Sequence, residues 1–302
     1  MRGANAVQAL ALYASVNTKV EYGAMILRSV MTSALILLAG LSQAGAETLT
    51  FAPLPMETPE TVVKQVKPML NHLEKALDIQ VKIEFSSDYA EILGKFESGK
   101  LDLAYLGPLP YLTLRDRVAA ATPLVHFKEA SGSATYTCAI VAAADAKTDL
   151  AKVKGRKVAL TQPLSTCGYL STDGLLRQAG SSLEDNKYRY LDKHDEVALA
   201  VIRGEFDLGG LKTAIGRKYA HMGLVVVAES APLPGFALVA NAKTVSKERM
   251  NQLRDALVGM DSESAKSWGD NIRHGAVAAF DGDYDALRRL RRKANIPNNG
   301  NF

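Results

Sequence analysis

A row of polar residues stands where a helical pattern begins: Ser165, Thr166, Cys167 and Gly168. A buried-strand pattern at 156–161 precedes this row, and helical spacing over 167–179 follows it. The first N–H groups of a helix lack partners inside the helix, and that end carries a partial positive charge, so it can hold an anion. Hydroxyls would add donors, and glycine would let an anion approach the backbone. Plain N-capping by a hydroxyl is the alternative interpretation.

His194 is the second candidate, because it follows a strand pattern at 187–191 and opens a helical pattern at 194–203. Parallel strands end at the same edge of a sheet, so we expect His194 close to the Ser165 row, where open α/β sheets bind ligands. A helix-capping or surface histidine is the alternative. The segment lacks the spacing of a P-loop, and the histidines and cysteines of the chain lack metal-site spacing. We therefore expect neither a metal nor a cofactor.

These candidates need an α/β framework to position them. Short apolar runs alternate with amphipathic runs of 8 to 19 residues from 49 onwards. This alternation predicts mostly parallel sheets flanked by helices. Residues 47–302 exceed a comfortable single core, which predicts two lobes.

Two long strand patterns, at 134–143 and 235–241, bracket a self-contained block of alternating strands and helices. We interpret them as two hinge crossovers between lobes. Lobe 1 would comprise 47–138 and 236–302, and lobe 2 would comprise 139–235. The helical patterns at 246–259, 262–269 and 284–293 would return to lobe 1.

Five motifs occur in an order that resembles a known family: "DYAEIL", "GKLDLAYLGPLPYL", "ATYTCAIV", "LSTCGYL" and "DKHDEVALAVIRGEFD". They resemble the phosphonate-binding periplasmic proteins of ABC importers, and the likeness runs over roughly 49–270. The resemblance implies a type II periplasmic-binding-protein fold, in which two α/β lobes close on a ligand. It also implies a receptor for phosphonate, phosphite or phosphate that serves a membrane permease. A subunit of the same fold that presents its ligand to a membrane sensor is an open alternative.

The resemblance also implies site residues. The family's Ser-Thr-Ser run falls on Ser165, Thr166 and Cys167, and its histidine falls on His194. Tyrosines from the first lobe fall on Tyr89 and Tyr136, and Tyr105 would line the cleft. For each tyrosine, core or rim packing is the alternative.

Two departures from the family pattern matter. Cys167 replaces the third hydroxyl and is a weaker, larger donor. The acidic residues that accompany aminoalkyl ligands are missing from "GGLKTAIG" and "APLPGFALV", and Lys212 stands there instead. An ammonium group in a closed cleft would then lack a counter-charge, so we expect a ligand that is not zwitterionic. Lys212 is interpreted as a solvated helix lysine, with a role as a site cation as the alternative.

The chain contains two cysteines, Cys138 and Cys167. We expect free thiols, because a bond between these cysteines would bridge the cleft and hinder its closure. A Cys167–His194 nucleophile is the enzymatic alternative, but no third orienting residue is evident. We therefore expect no enzyme.

The N-terminal residues predict export. Arg28, a short apolar stretch at 34–41 and Ala44-Gly45-Ala46 form a signal-peptide pattern, with Met25 as the expected start and cleavage after Ala46. No cysteine stands at the cleavage site, so a lipid anchor is not expected. We predict a soluble periplasmic monomer.

Composition and charge argue for a globular protein and against a nucleic-acid-binding one. The 302 residues are 47% hydrophobic and 23% charged, with a formal net charge of +4, which is typical of a globular protein. The basic cluster at 288–293 is interpreted as a solvated helix face rather than a nucleic-acid patch, so no nucleic-acid partner is expected.

Overall fold

A computed structural model describes residues 46–260, 263–292 and 294–302. The predicted signal peptide and the start at Met25 lie outside the described residues. The strands are β1 (Glu47–Ala52), β2 (Ile79–Ile83), β3 (Leu103–Leu106), β4 (Ala121–Phe127), β5 (Thr135–Tyr136), β6 (Cys138–Ala143), β7 (Lys157–Leu160), β8 (Lys187–Tyr190), β9 (Leu208–Lys212), β10 (Leu224–Glu229), β11 (Leu233–Pro234), β12 (Ala237–Asn241) and β13 (Ala276–Ala278). The α-helices are α1 (Pro59–Leu77), α2 (Tyr89–Glu97), α3 (Pro108–Arg117), α4 (Ser171–Gln178), α5 (His194–Ile202), α6 (Thr213–Lys218), α7 (Lys247–Val258) and α8 (Asp285–Arg291).

Two larger sheets organise these elements, and both are mixed. The first has the order β13-β4-β12-β3-β1-β2, and the second has the order β10-β6-β9-β7-β8. Among the strands that the structure describes, parallel pairing is confined to β1 with β2 and β3, and to β7 with β8 and β9. The prediction of mostly parallel sheets is therefore wrong, because β4, β6, β10, β12 and β13 join the sheets by antiparallel pairing.

The long strand predicted at 134–143 is broken. Its first part, β5, pairs with β11 in a separate two-stranded ribbon, and only β6 belongs to the second sheet. The chain therefore enters the second sheet through β5 and leaves it through β11, so that the two crossing segments are hydrogen-bonded to each other. Sheet membership does not define moving bodies, so the lobe boundaries and the hinges stay predictions.

Helix starts follow local sequence signals. Thr58 caps α1 by accepting a hydrogen bond from the Thr61 N–H, and Pro59 occupies the first turn, where its missing N–H costs nothing. Asp88 caps α2 by accepting from the Glu91 N–H. These caps determine where the polypeptide leaves β2 and enters the helix that carries Tyr89.

The C-terminal region only partly follows the sequence prediction. Helix α7 packs on β4 and β13, and α8 contacts α3, so both return to the first sheet. Residues 262–269 were predicted to form a helix; Ser264–Ser267 form a short 3₁₀ turn, and 262 lies outside the described residues. In the basic cluster, Arg288 pairs with Asp281 and Asp285.

A C-terminal tail at 294–302 crosses to the second sheet and covers its edge strand β8. Asn301 Oδ1 accepts from the Tyr188 N–H at 2.7 Å, and its own N–H donates to Tyr188 O at 3.0 Å. The Tyr190 hydroxyl donates to Pro297 O at 2.8 Å. Ile296 packs against the hydrophobic cores on both sheets. The tail therefore links the two sheets at a third place.

Candidate functional site

The parallel strands of the second sheet end side by side, at one edge. Leu160 of β7 is in register with Tyr190 of β8 and with Gly210 of β9. The segments that follow these strand ends carry the Ser165 row, His194 and Lys212. This edge is where helix starts and loops of an α/β sheet can converge on a ligand.

Residues 161–170 form a tight turn between β7 and α4. Thr166–Leu170 make one wide helical turn before α4 begins at Ser171, so the predicted helix at 167–179 starts later than expected. Ser165 and Thr166 are each only 3% exposed. A Cβ at Gly168 would lie 2.8 Å from Gln162 O, so this turn requires glycine for its own packing.

Cys167 is bonded to Cys138, which corrects the prediction of free thiols. Their Cα atoms are 5.0 Å apart. Cys138 opens β6, and Cys167 lies in the helical turn that follows β7. Both strands flank β9 in the second sheet, so the bond ties the turn to the sheet from which the turn leaves. Cys167 consequently has no S–H donor and no thiolate, which removes both its donor role and the Cys–His nucleophile.

His194 is the first residue of α5, as predicted, and is 2% exposed. Its Nδ1 accepts from the Lys212 N–H at 3.0 Å. Burial, together with the nearby Lys212 ammonium, lowers the pKa of His194 to about 3. The ring is therefore neutral at ordinary pH, and its proton resides on Nε2, which leaves Nε2–H as a donor.

The first sheet contributes contacts to the 161–170 turn. The Tyr89 N–H donates to Gln162 Oε1 at 2.8 Å, and the Leu109 N–H donates to Thr166 Oγ1 at 3.0 Å. Tyr89 follows β2 and Leu109 follows β3, so the strand ends of the two sheets face each other across the turn.

Two tyrosine hydroxyls meet the hydroxyls of the turn. Burial raises the pKa of Tyr89, and a hydrogen bond with Ser165 opposes that rise. Burial likewise raises the pKa of Tyr136, and a hydrogen bond with Thr166 opposes it. Both phenols therefore keep their protons and remain able to donate. The structure thus brings together Tyr89, Tyr136, Ser165 and Thr166.

Tyr105 lies one aromatic layer further from the turn. Its ring stacks on Phe236 with centroids 5.4 Å apart, and Phe236 contacts Tyr136 at 5.0 Å. The Tyr105 hydroxyl is buried without a hydrogen-bond partner. A cavity of about 20 Å³ beside Tyr105 is lined by side chains that include Leu54, Met56 and Asn271.

Lys212 is not the solvated helix lysine that was expected. It is the last residue of β9 and is 1% exposed. Its Nζ lies 2.8 Å from a Glu129 carboxylate oxygen and 3.0 Å from Asn271 Oδ1. Burial lowers the pKa of Lys212, while the Glu129 carboxylate opposes that effect. Glu129 and Asn271 were not predicted from the sequence, because neither lies near Lys212 in the chain.

Among the described residues, no group of three or more histidine, cysteine or acidic side chains is arranged to hold a metal ion. Within the same ranges, no helix is both long and apolar enough to cross a membrane.

Residues 51–284 match the family described as the periplasmic substrate-binding protein of phosphonate ABC transporters. The phosphate-import protein PhnD of Mycolicibacterium smegmatis is 28% identical over 272 residues, covering 81% of this chain and 85% of that protein. The phosphonates-binding periplasmic protein of Escherichia coli is 28% identical over 230 residues, which cover 70% of this chain and 67% of that protein.

Solved structures share the architecture. PhnD1 of Prochlorococcus marinus, in complex with methylphosphonate, superposes with a TM-score of 0.73 at 19% identity, covering 82% of this chain and 98% of that one. A binding component of a phosphonate ABC transporter from Pseudomonas aeruginosa has a TM-score of 0.72 at 25% identity. The superposition covers 82% of this chain and 86% of that one. The predicted type II periplasmic-binding-protein fold is confirmed.

Proposed function

This chain belongs to the family of periplasmic substrate-binding proteins of phosphonate ABC transporters, and on that premise we propose that its 161–170 turn binds the oxyanion group of a phosphonate, phosphite or phosphate. The chain is a binding component and not an enzyme. It delivers its ligand to a membrane permease.

One observation carries this proposal: four buried hydroxyls converge on the turn, and a neutral histidine opens the helix that follows the neighbouring strand β8. Ser165 and Thr166 come from the second sheet, and Tyr89 and Tyr136 approach them. A ligand oxyanion would replace the hydroxyl–hydroxyl contacts and accept from these groups and from His194 Nε2–H. Neutral donors in a buried site bind an anion well because the low local dielectric strengthens each hydrogen bond.

We also propose roles for other parts of the pocket and for the two lobes. Tyr105 would line the cleft, and Gly168 would hold the turn in shape. Cys167 would contribute its backbone only. The lobes 47–138 with 236–302 and 139–235 would close around the ligand, through bending at 138–142 and 234–239. A signal peptide at the N-terminus, without a lipid anchor, would export the protein as a soluble monomer.

Calorimetric titration of ligand-stripped protein tests the proposal. We expect micromolar or tighter binding of at least one of phosphate, phosphite and methylphosphonate. Ser165→Ala and His194→Ala should each weaken binding by roughly tenfold or more, because each removes a hydrogen bond to a charged group. His221→Ala, at an exposed histidine of the same sheet unit, should bind like the unchanged protein.

Two results would overturn the proposal. One is a folded protein that binds none of the three phosphorus oxyanions, and the other is unchanged binding after Ser165→Ala and His194→Ala.

A further inference from the structure

The buried ion pair between Lys212 and Glu129 lies next to the proposed oxyanion site. Lys212 Nζ is 5.6 Å from the centroid of the Tyr136 ring and 5.1 Å from that of Phe236. The hydroxyl of the same Tyr136 meets Thr166 in the turn. One aromatic ring therefore separates the ammonium from the hydroxyls that would hold the oxyanion.

The pair connects the two sheets. Lys212 ends β9 of the second sheet, whereas Glu129 follows β4 and Asn271 precedes β13 of the first. The main chain of Lys212 also fixes His194, through the hydrogen bond to Nδ1. Lys212 is thus attached to the site by its backbone and reaches across the molecule with its side chain.

Burial makes this charge arrangement selective. The Lys212 side chain is 2% exposed and that of Glu129 is 20% exposed. A second ammonium entering here would meet a Glu129 carboxylate that is already paired and would lie beside an existing cation, at a high cost in a buried site. Removing one partner would leave the other as an unpaired buried charge that attracts a ligand group of opposite sign.

We propose that Lys212 is a specificity-determining residue that takes the place of a ligand ammonium, with Glu129 as its resident counter-ion. The inference rests on the proposed function of the 161–170 turn. It assigns to the site phosphorus oxyanions with small, uncharged substituents, and it predicts rejection of aminoalkyl phosphonates.

The test compares methylphosphonate with 2-aminoethylphosphonate by calorimetry, using the ratio of their affinities. The unchanged protein should favour methylphosphonate. Lys212→Ala opens space and frees the Glu129 carboxylate, so it should shift the ratio toward 2-aminoethylphosphonate by about tenfold or more. Lys212→Ala with Glu129→Gln is the matched control; it keeps the space without the charge, and the shift should disappear.

Glu129→Gln alone provides a reciprocal test that does not depend on the folding of Lys212→Ala. It leaves the ammonium unpaired, so phosphonoacetate, which carries a carboxylate, should gain affinity relative to methylphosphonate. Thermal melts verify that each variant is folded.

The outcomes separate this inference from the proposed function. No binding of any phosphorus oxyanion by the unchanged protein would refute the proposed function, and this inference with it. Methylphosphonate binding with equal affinity for 2-aminoethylphosphonate would refute this inference alone. Ratios that stay unchanged in folded Lys212→Ala and Glu129→Gln would do the same, and would leave the pair as a structural contact.

Discussion

His194 shows how its surroundings set the chemistry of a single side chain. The imidazole is buried, accepts a hydrogen bond at Nδ1 and has the Lys212 cation nearby. Each of these features disfavours a second proton on the ring. The site thereby keeps a donor of fixed direction whose protonation does not change across the usual pH range of binding.

The neutral state of His194 lowers the stability of the folded protein in acid. The pKa of His194 is about 3 in the folded protein, against 6.5 for the unperturbed side chain. Between these values the unfolded chain takes up a proton that the native site refuses, so stability falls as pH decreases from about 6.5 to 3. For this residue alone we expect a loss of about 2 kcal/mol between pH 7.5 and 5 in the ligand-free protein.

The measurement is urea unfolding at both pH values, for the unchanged protein and for His194→Asn. Asparagine retains an acceptor for the Lys212 N–H but does not titrate. The variant should lose about 2 kcal/mol less than the unchanged protein over this pH interval. Identical losses would mean that His194 is already exposed to protonation in the folded state.

Residue types and spacing located several site residues but not their pairing. The helix-start row and His194 could be found because parallel strand ends converge, whatever the rest of the fold does. The interpretation of Lys212 as an exposed helix lysine was wrong because the segment "KTAIG", which Lys212 begins, looks like the start of an exposed helix. Only tertiary structure brings Glu129 and Asn271 to its ammonium.

Among the elements, the 161–170 turn depends most on a single covalent link. The Cys138–Cys167 bond ties this turn to the start of β6, next to Tyr136 and the chain crossing. The bond therefore holds a binding turn against a neighbouring strand. It does not join the two sheets.

Removal of this bond should lower stability. It spans 29 residues, for which loop-closure entropy predicts a contribution of between about 3 and 4 kcal/mol. We expect Cys138→Ala with Cys167→Ala to lower the free energy of unfolding by about that amount. A reductant should destabilise the unchanged protein in a thermal melt and leave the double variant unaffected.

A thiol titration of unfolded, unreduced protein provides a direct check. No free thiol should be found. Two free thiols per chain would show that the bond is absent and that the turn is held by packing alone.

Element boundaries were predictable where local chemistry sets them. Helix α1 occupies 59–77 because Thr58 and Pro59 fix its start and Asp78 adopts a left-handed conformation at its end. Strand β4 was missed because Pro123 interrupts its pattern, and β13 was missed because it has only three residues. The break between β5 and β6 depends on pairing with distant β11, which no local pattern records.

Over the whole molecule, the tail at 294–302 makes a third connection between the sheets. It covers β8, an edge strand whose free N–H and C=O groups would otherwise be open to pairing with another chain. The Arg189 guanidinium also lies 4.6 Å from the Phe302 ring centroid. Any movement of one sheet relative to the other must therefore bend or displace this tail.

Asn301→Ala tests the contribution of the tail. The change removes side-chain hydrogen bonds to Tyr188 N and Asn186 O. At about 0.5–1.5 kcal/mol for each bond, stability should fall by about 1–3 kcal/mol, measured by urea unfolding. Asn299→Ala, at an exposed position of the same tail, is the control. Equal stability of the two variants would show that the tail does not hold β8.

The disulfide beside the binding turn also bears on the order of events in the life of the protein. A thiol pair stays reduced in a bacterial cytoplasm and becomes oxidised after export. Before that oxidation, the turn at 161–170 would lack its covalent link to β6. The full stability of the binding turn would therefore be reached only where thiols become oxidised.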